Sequence, residues 1–165
     1  MVFYAHSKES EPECKWQTLK DHLERTAEMA ACFANYFNSG ELAYIAGIMH
    51  DLGKYSIEFQ SKLKGKKLFV DHSTAGAQLA LEQYGQAIGL MLAYCIAGHH
   101  TGIPNYGTIN KSGTLAARLR AEVRNYDNYS DEIILPEYSK KMPLKYSRKE
   151  FQYFTIAFYI RMLYS

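Results

Sequence analysis

The segment that decides the fold is residues 48–54, which read Ile48-Met49-His50-Asp51-Leu52-Gly53-Lys54. It ends an apolar helical pattern, and Gly53 allows the backbone to turn sharply after the helix. The imidazole of His50 and the neighbouring carboxylate of Asp51 offer nitrogen and oxygen donors to a divalent metal, and a carboxylate can bridge two ions. Lys54 follows one turn later, where its ammonium can meet a phosphate oxygen. A surface lysine is an equally good interpretation of Lys54.

Four further histidines stand where they can converge on this pair. His22 falls on the apolar face of the first predicted helix, where a hydrogen-bonded core histidine is the alternative. His72 follows Asp71 at the start of another helix, and the alternative there is that Asp71 merely caps the helix. His99 and His100 end a helix that is apolar nearly all round. Packing alone does not explain two imidazoles there, although two partly exposed histidines are the alternative.

Together these side chains predict a metal site with nitrogen and oxygen donors, made of His22, His50, Asp51, His72, His99 and His100. Six ligands are too many for one tetrahedral zinc, and magnesium prefers more carboxylates, so we expect one or two ions of Mn, Ni, Co or Fe. Two ions about 3.5–4 Å apart can activate water and clamp a phosphoryl group. That chemistry needs no side-chain nucleophile, and the chain has neither a GxSxG nor a GxxxxGK[ST] motif.

The periodicity of apolar residues predicts an all-α protein without strands. Thr18 starts the first helix, with Asp21 placed to reach back to a free backbone N–H, and Gly40 is placed to stop it. The other predicted helices cover residues 41–50, 56–63, 72–84, 86–99, 113–125 and 147–165. Residues 1–17, 101–112 and 126–146 are predicted to be irregular or rich in loops.

The composition fits one domain with one core. The chain has 165 residues, of which 47% are apolar and 22% charged. It has no apolar run long enough to cross a membrane and no signal peptide pattern, so we expect it in the cytoplasm. The cysteines Cys14, Cys32 and Cys95 are odd in number and lack CxxC spacing, which argues against disulfides and thiolate zinc sites. Cys32 and Cys95 are predicted to be small core residues.

Basic residues form three clusters, although the net charge is only +2. Such clusters can hold phosphates, and solvated helix faces and loop ends are the equal alternative. The clusters are Lys62, Lys64, Lys66 and Lys67; Arg118, Arg120 and Arg124; and Lys140, Lys141, Lys145, Arg148 and Lys149.

The order of these motifs resembles the HD nuclease domain of the CRISPR-associated helicase-nuclease of type I systems. The segments that carry the resemblance are Tyr4-Ala5-His6-Ser7, Trp16 to Leu23, His50 to Lys54, Asp71-His72-Ser73, Gly98 to Pro104 and Phe158 to Ser165. They span nearly the whole chain. The combination is specific, whereas the histidine–aspartate pair alone is shared by a very broad superfamily.

The resemblance implies a helical HD bundle with a metal site in a central cleft, and metal-dependent cleavage of single-stranded DNA. A helicase domain would feed the DNA, and the Cascade surveillance complex would recruit the protein. His22, His50 and Asp51 would hold one metal, and Asp51 would share the second with His72, His99 and His100. Lys54 would assist at the scissile phosphate, which makes Asp51 and Lys54 the candidate catalytic residues. His6 is expected to make a structural hydrogen bond.

One departure concerns a further aspartate that closes the first metal site in that family, soon after a helix like residues 151–165. The chain ends before it, so we interpret residues 1–165 as a single HD nuclease domain that is truncated at its C-terminal end and lacks the helicase. Two alternatives are open. One is an HD phosphohydrolase acting on nucleotides or cyclic dinucleotides, although the cyclic-dinucleotide branch usually has an acidic residue where Thr101 follows the paired histidines. The other is a catalytically weakened HD docking module.

Overall fold

The computed structural model describes residues 1–8, 10–138, 140, 144 and 148–165. The described part of the chain contains seven α-helices: Leu19–Ala34 (α1), Gly40–Met49 (α2), Ile57–Leu63 (α3), Ser73–Tyr84 (α4), Leu90–Gly98 (α5), Leu115–Arg118 (α6) and Gln152–Tyr164 (α7). Its only β-type pairing is one antiparallel bridge between Tyr4 and Thr18. The prediction of an all-α fold is therefore confirmed. None of the helices described is long and apolar enough to cross a membrane.

Helix α1 begins as the sequence predicts, with one difference in its cap. The Thr18 hydroxyl accepts a hydrogen bond from the backbone N–H of Asp21. The Asp21 carboxylate, however, accepts from Gln17 Nε2 at 3.0 Å and Arg25 Nε at 2.6 Å rather than from a backbone N–H. Backbone pairing joins the start of α1 to the first residues of the chain: the N–H of Leu19 donates to the carbonyl oxygen of Phe3, and the N–H of Ala5 donates to that of Gln17. This pairing holds the first residues of the chain against α1.

The end of α1 differs from the prediction that Gly40 stops it. The helix ends at Ala34, continues as a 3-10 turn over Asn35–Phe37, and is broken by Asn38 with φ of 55°. An asparagine adopts this left-handed conformation more readily than most residues. Gly40 instead opens α2, where a Cβ atom would lie 2.2 Å from Asn35 Oδ1. A side chain at residue 40 would therefore require the Asn35 side chain to move.

The core lies where α2 and α5 cross between the other helices. Both are apolar nearly all round, α2 packs on α1, and α5 packs on α4 and α7. Gly47 brings α2 close to α1, because a Cβ atom there would lie 2.6 Å from Ala27 Cα. Cys95 is buried in this core as predicted, but Cys32 is exposed, which makes the prediction for Cys32 wrong.

Two helices differ clearly in extent from their predictions. The segment predicted as a helix over 86–99 begins with a π-helical turn at Gly85–Gly89 before α5. The helix predicted over 113–125 is only Leu115–Arg118. The side-chain amide of Gln78 donates to the carbonyl oxygens of Arg118 and Ala121, which a longer helix would use itself.

The last helix, α7, follows a 3-10 turn at Lys149–Phe151. Its predicted start near Ser147 lies outside the described residues. Lys141 and Lys145 of the third basic cluster also lie outside them. In the described part of that cluster, Lys140 forms an ion pair with Glu41.

Candidate metal centre

Five imidazoles from four separate segments of the chain surround the carboxylate of Asp51. His22 comes from the second turn of α1, and His50 and Asp51 follow directly after α2. The remaining three flank the two helices that pack against each other: His72 precedes α4, and His99 and His100 follow α5. Asp51 is buried, with an exposed fraction of 2%. All six residues predicted as ligands are therefore neighbours in space; their role as ligands stays a prediction.

One oxygen of Asp51 faces two of the imidazoles. His22 Nε2 and His50 Nε2 each lie 3.1 Å from Asp51 Oδ2, and the two nitrogens are 3.2 Å apart. Three donor atoms therefore surround one point, within the separation that a shared metal ion requires.

The other oxygen faces the second set of imidazoles. His72 Nε2 lies 3.3 Å and His99 Nε2 3.2 Å from Asp51 Oδ1, while His72 Nε2 and His100 Nε2 are 2.7 Å apart. The donor atoms of these four residues lie within 4.8 Å of one another. Asp51 thus belongs to two adjacent groups of donors, one on each oxygen.

Two of the imidazoles are held with a defined nitrogen toward Asp51. His50 Nδ1 lies 2.6 Å from the carbonyl oxygen of Gly47, and His99 Nδ1 lies 2.7 Å from that of Ile96. A carbonyl oxygen can only accept, so Nδ1 carries the proton in both rings. In the neutral imidazole, Nε2 then presents a lone pair to the centre, which is the form that binds metals. The carbonyl oxygens near the end of a helix are available for this role because no later turn uses them.

The buried donors fit a cation. In the described part of the chain, Asp51 Oδ1 and His99 Nε2 are buried and have no hydrogen-bond partner, although they lie 3.2 Å apart. A carboxylate oxygen and an imidazole lone pair both accept, so neither satisfies the other, and unpaired buried acceptors are costly. A divalent ion would satisfy both. The donor set is nitrogen and oxygen without thiolate, which suits Mn, Fe, Co or Ni.

The protonation states are those that ligands need. Burial raises the pKa of the Asp51 carboxyl, but the hydrogen bond from His22 and the polar contacts of the surrounding imidazoles outweigh it, so this pKa lies far below its usual range. Burial lowers the pKa of His72 to about 4, an effect that the charge of Asp51 only partly offsets. Aspartate is therefore charged and His72 neutral at pH 7, as metal coordination requires.

Lys54 lies inside the centre. Its side chain is 3% exposed; its ammonium forms an ion pair with Asp51 Oδ2 at 2.8 Å and donates a hydrogen bond to the carbonyl oxygen of Ala5 at 3.2 Å. It also lies over the ring of Phe59, 5.4 Å from the centroid. The interpretation of Lys54 as a surface lysine is wrong. Its role at a scissile phosphate stays a prediction.

A cavity opens beside the centre. It has a volume of about 320 Å³ and is lined by His50 and His99 together with Thr26 and Tyr164. His6 lies beside His22 at the edge of the centre, with the two ring centroids 5.0 Å apart. His6 is exposed, and no hydrogen bond of its ring is found within the described chain, so the expected structural hydrogen bond is not observed.

Arg118 joins the two segments that carry the second group of histidines. Asp71 caps α4, accepting from the backbone N–H groups of Ser73 and Thr74, which confirms the capping interpretation. The guanidinium of Arg118 contacts this cap through Thr74 Oγ1 at 2.8 Å and, from the same side chain, reaches the carbonyl oxygen of Ala97 at 2.5 Å. His72 directly precedes the capped helix, and His99 follows Ala97 by two residues. From the sequence, Arg118 is interpreted as part of a basic cluster that either binds phosphate or is solvated, and neither interpretation holds. The contacts of Arg118 are with residues distant in sequence, so the local sequence gives no sign of them.

We expect Arg118→Met to weaken metal binding at the second group of histidines by about tenfold, because residues that hold ligands in place typically contribute 10- to 100-fold to affinity. Calorimetric titration with Mn²⁺ measures this. Arg120→Met is the matched control, since Arg120 is exposed two residues away. Unchanged affinity in Arg118→Met would show that the segments of His72 and His99 hold their positions without it.

The HD domain family model matches residues 19–139 of the chain. The match covers well over half of the chain and includes all six residues around Asp51 as well as Lys54. Among curated proteins, no match to the chain was found.

Proposed function

The chain belongs to the HD domain family, whose members are generally metal-dependent phosphohydrolases, and on that premise we propose that it is a nuclease that hydrolyses phosphodiester bonds of single-stranded DNA in CRISPR interference. The sequence resemblance to the HD nuclease domain of the type I helicase-nuclease supports this substrate. By the same resemblance, a helicase supplies the strand and the Cascade surveillance complex is the partner that recruits the protein.

The observation that carries the proposal is the single buried carboxylate between two groups of imidazoles. His22, His50 and Asp51 form the first group, and His72, His99 and His100 complete the second with Asp51. Divalent ions bound there would supply Lewis-acid activation of water and of the phosphoryl oxygens. A phosphodiester needs both effects, because it is anionic and resists attack.

The residues of the chain then have distinct tasks. The carbonyl oxygens of Gly47 and Ile96 fix the rings of His50 and His99, so that the ligand nitrogens need no rearrangement. Asp51 stays ionised at the centre. The ammonium of Lys54 lies 2.8 Å from Asp51, where it adds positive charge beside the position of an anionic substrate.

A second candidate is hydrolysis of a mononucleotide or cyclic dinucleotide. The cavity of about 320 Å³ beside His50 and His99 favours it, since small-ligand pockets have volumes of roughly 300–1,000 Å³. The six donor residues that meet at Asp51 argue against a non-catalytic HD docking module.

A substrate panel separates these candidates. The protein with Mn²⁺ is incubated with a labelled single-stranded oligonucleotide, the same sequence as duplex, a deoxynucleoside triphosphate and a cyclic dinucleotide. We expect cleavage of the single strand and none of the two small substrates. Hydrolysis of a nucleotide without cleavage of DNA would contradict the nuclease proposal and support the second candidate.

We expect Lys54→Met to retain bound metal and to slow cleavage about 100-fold, because it removes a positive charge at the centre and no ligand. Elemental analysis and single-turnover cleavage measure the two effects. The matched control is Lys62→Met, because the Lys62 ammonium lies over the same Phe59 ring at 5.8 Å but its side chain is exposed. Loss of metal in Lys54→Met would mean that Lys54 holds Asp51 in place rather than acting on the substrate.

A further inference from the structure

A second cavity, of about 550 Å³, lies between α5, α7 and the loop that follows His100. Its walls carry the tyrosines Tyr94, Tyr106 and Tyr153, and most of the other side chains that line it are aliphatic. Among the residues that the structure describes, Arg161 is the only charged one that lines it. The volume is in the range of pockets that hold small organic groups, roughly 300–1,000 Å³.

We propose that this cavity binds an unpaired nucleobase of single-stranded DNA and that Arg161 contacts the adjoining phosphate; the inference rests on the nuclease proposed above. Tyr106 and Tyr153 are 51% and 83% exposed. Exposed aromatic rings are the surfaces on which proteins stack unpaired bases, irrespective of sequence. Bases in a duplex are already stacked and paired, so the cavity selects the single strand.

The wall that carries Tyr106 is held in place. The carbonyl oxygens of Asn105 and Tyr106 accept hydrogen bonds from the backbone N–H groups of Leu115 and Ala116, each at 2.9 Å. Gly107 then turns the chain with φ of 60°. A ring on a fixed loop loses little freedom on stacking, which makes binding more favourable.

The charge of the cavity suits a polyanion. Arg161 Nη1 donates to the carbonyl oxygen of Ala157 at 3.1 Å, which uses one of five guanidinium N–H groups. No ion pair joins Arg161 to a carboxylate in the ranges of the chain described above. The larger cavity beside α2 differs in this respect, since Glu41 and Glu137 line it.

Packed residues of α5 and α7 link the cavity to the metal centre. Ile103 lines the cavity and packs against Gly98, where a Cβ atom would lie 3.1 Å from Ile103 Cα. His99 is the next residue. On the other side, the Tyr164 hydroxyl donates to the carbonyl oxygen of Gly98 at 3.2 Å, and Arg161 lies one turn earlier on α7. A strand that passes the centre therefore meets the cavity within a short distance.

The test is binding of a fluorescent single-stranded oligonucleotide that contains 2-aminopurine, measured by anisotropy and by quenching of the analogue on stacking. Calcium replaces the activating metal so that no cleavage occurs. We expect Tyr153→Ala and Tyr106→Ala each to weaken binding about tenfold and to remove the quenching. Tyr153→Phe should retain both, because stacking needs the ring and not the hydroxyl. Arg161→Ala should weaken binding and reduce its salt dependence.

Matched controls are Tyr36→Ala, a 91% exposed tyrosine outside the cavity, and Arg120→Ala. Binding of Mn²⁺, measured by calorimetric titration, should be unchanged in every cavity variant, because none of these residues belongs to the two groups of donors at Asp51. Wild-type quenching and affinity retained in both Tyr→Ala variants would overturn the base site and leave the nuclease proposal standing. Failure of the wild type to bind single-stranded DNA would overturn both. Equal binding of duplex would overturn the selection of unpaired bases.

Discussion

Asp51→Asn is expected to abolish hydrolysis, with a loss of about a thousandfold or more, and to reduce bound metal sharply. The substitution keeps the shape of the side chain but removes the charge that both groups of imidazoles share. An amide also places N–H donors where ligands must offer lone pairs. No other carboxylate contributes to either group in the described chain, so nothing there compensates.

Elemental analysis after dialysis and cleavage of a phosphodiester measure the two losses in the same preparations. The control is Asp21→Asn, which makes the same change on the exposed face of α1, one residue before His22. A circular dichroism spectrum identical to that of the wild type separates loss of metal from loss of fold. A normal metal content and a normal rate of hydrolysis in Asp51→Asn would contradict the proposed metal centre.

Gly76→Ala is expected to lower the free energy of unfolding by about 3 kcal/mol, near the upper end for overpacked positions. A Cβ atom on Gly76 would lie 2.1 Å from the carbonyl oxygen of Met49 and 3.2 Å from Ile96 Cγ2. Helix α4 must therefore move away from α2 and α5. Met49 precedes His50, and the carbonyl oxygen of Ile96 holds His99, so metal affinity should fall together with stability.

Thermal unfolding measures the first effect, and we expect Tm to fall by about 10 °C. Gln83→Ala tests the same helix on its exposed face and should change Tm little. The direction of the change in Tm tests the packing, because alanine in place of an uncrowded helical glycine stabilises the protein by about 0.5–1 kcal/mol. A rise in Tm would show that α4 does not pack as closely as the structure indicates.

The residues of the centre were predictable because polar, metal-binding side chains stand at the ends of helices that are otherwise apolar. His99 and His100 end a helix that is otherwise apolar, and His50 and Asp51 end another, so each pair needs an explanation other than packing. The contacts that orient these rings are local as well, since Gly47 and Ile96 lie three residues before the histidines that they hold. Such short-range contacts can be recognised from a pattern in the sequence.

Contacts between distant segments were not predictable in the same way. Helix α6 is short because Gln78, far away in sequence, occupies its carbonyl oxygens. Arg118 is a basic residue in a basic cluster, and only the packing of α4 against α5 gives it partners. Lys54 is similar, because the burial of its ammonium depends on the first residues of the chain lying beside α1.

The measurement that tests the central claim most directly is hydrolysis of bis(p-nitrophenyl) phosphate by protein stripped of metal, with Mn²⁺, Ni²⁺, Co²⁺, Fe²⁺, Mg²⁺ or Zn²⁺ added back and bound metal quantified. This substrate reports phosphodiester hydrolysis irrespective of nucleobase recognition. The account predicts no activity in the stripped protein, recovery with at least one of the first four ions, and one or two ions bound per chain. Stripped protein that binds none of these ions would contradict it.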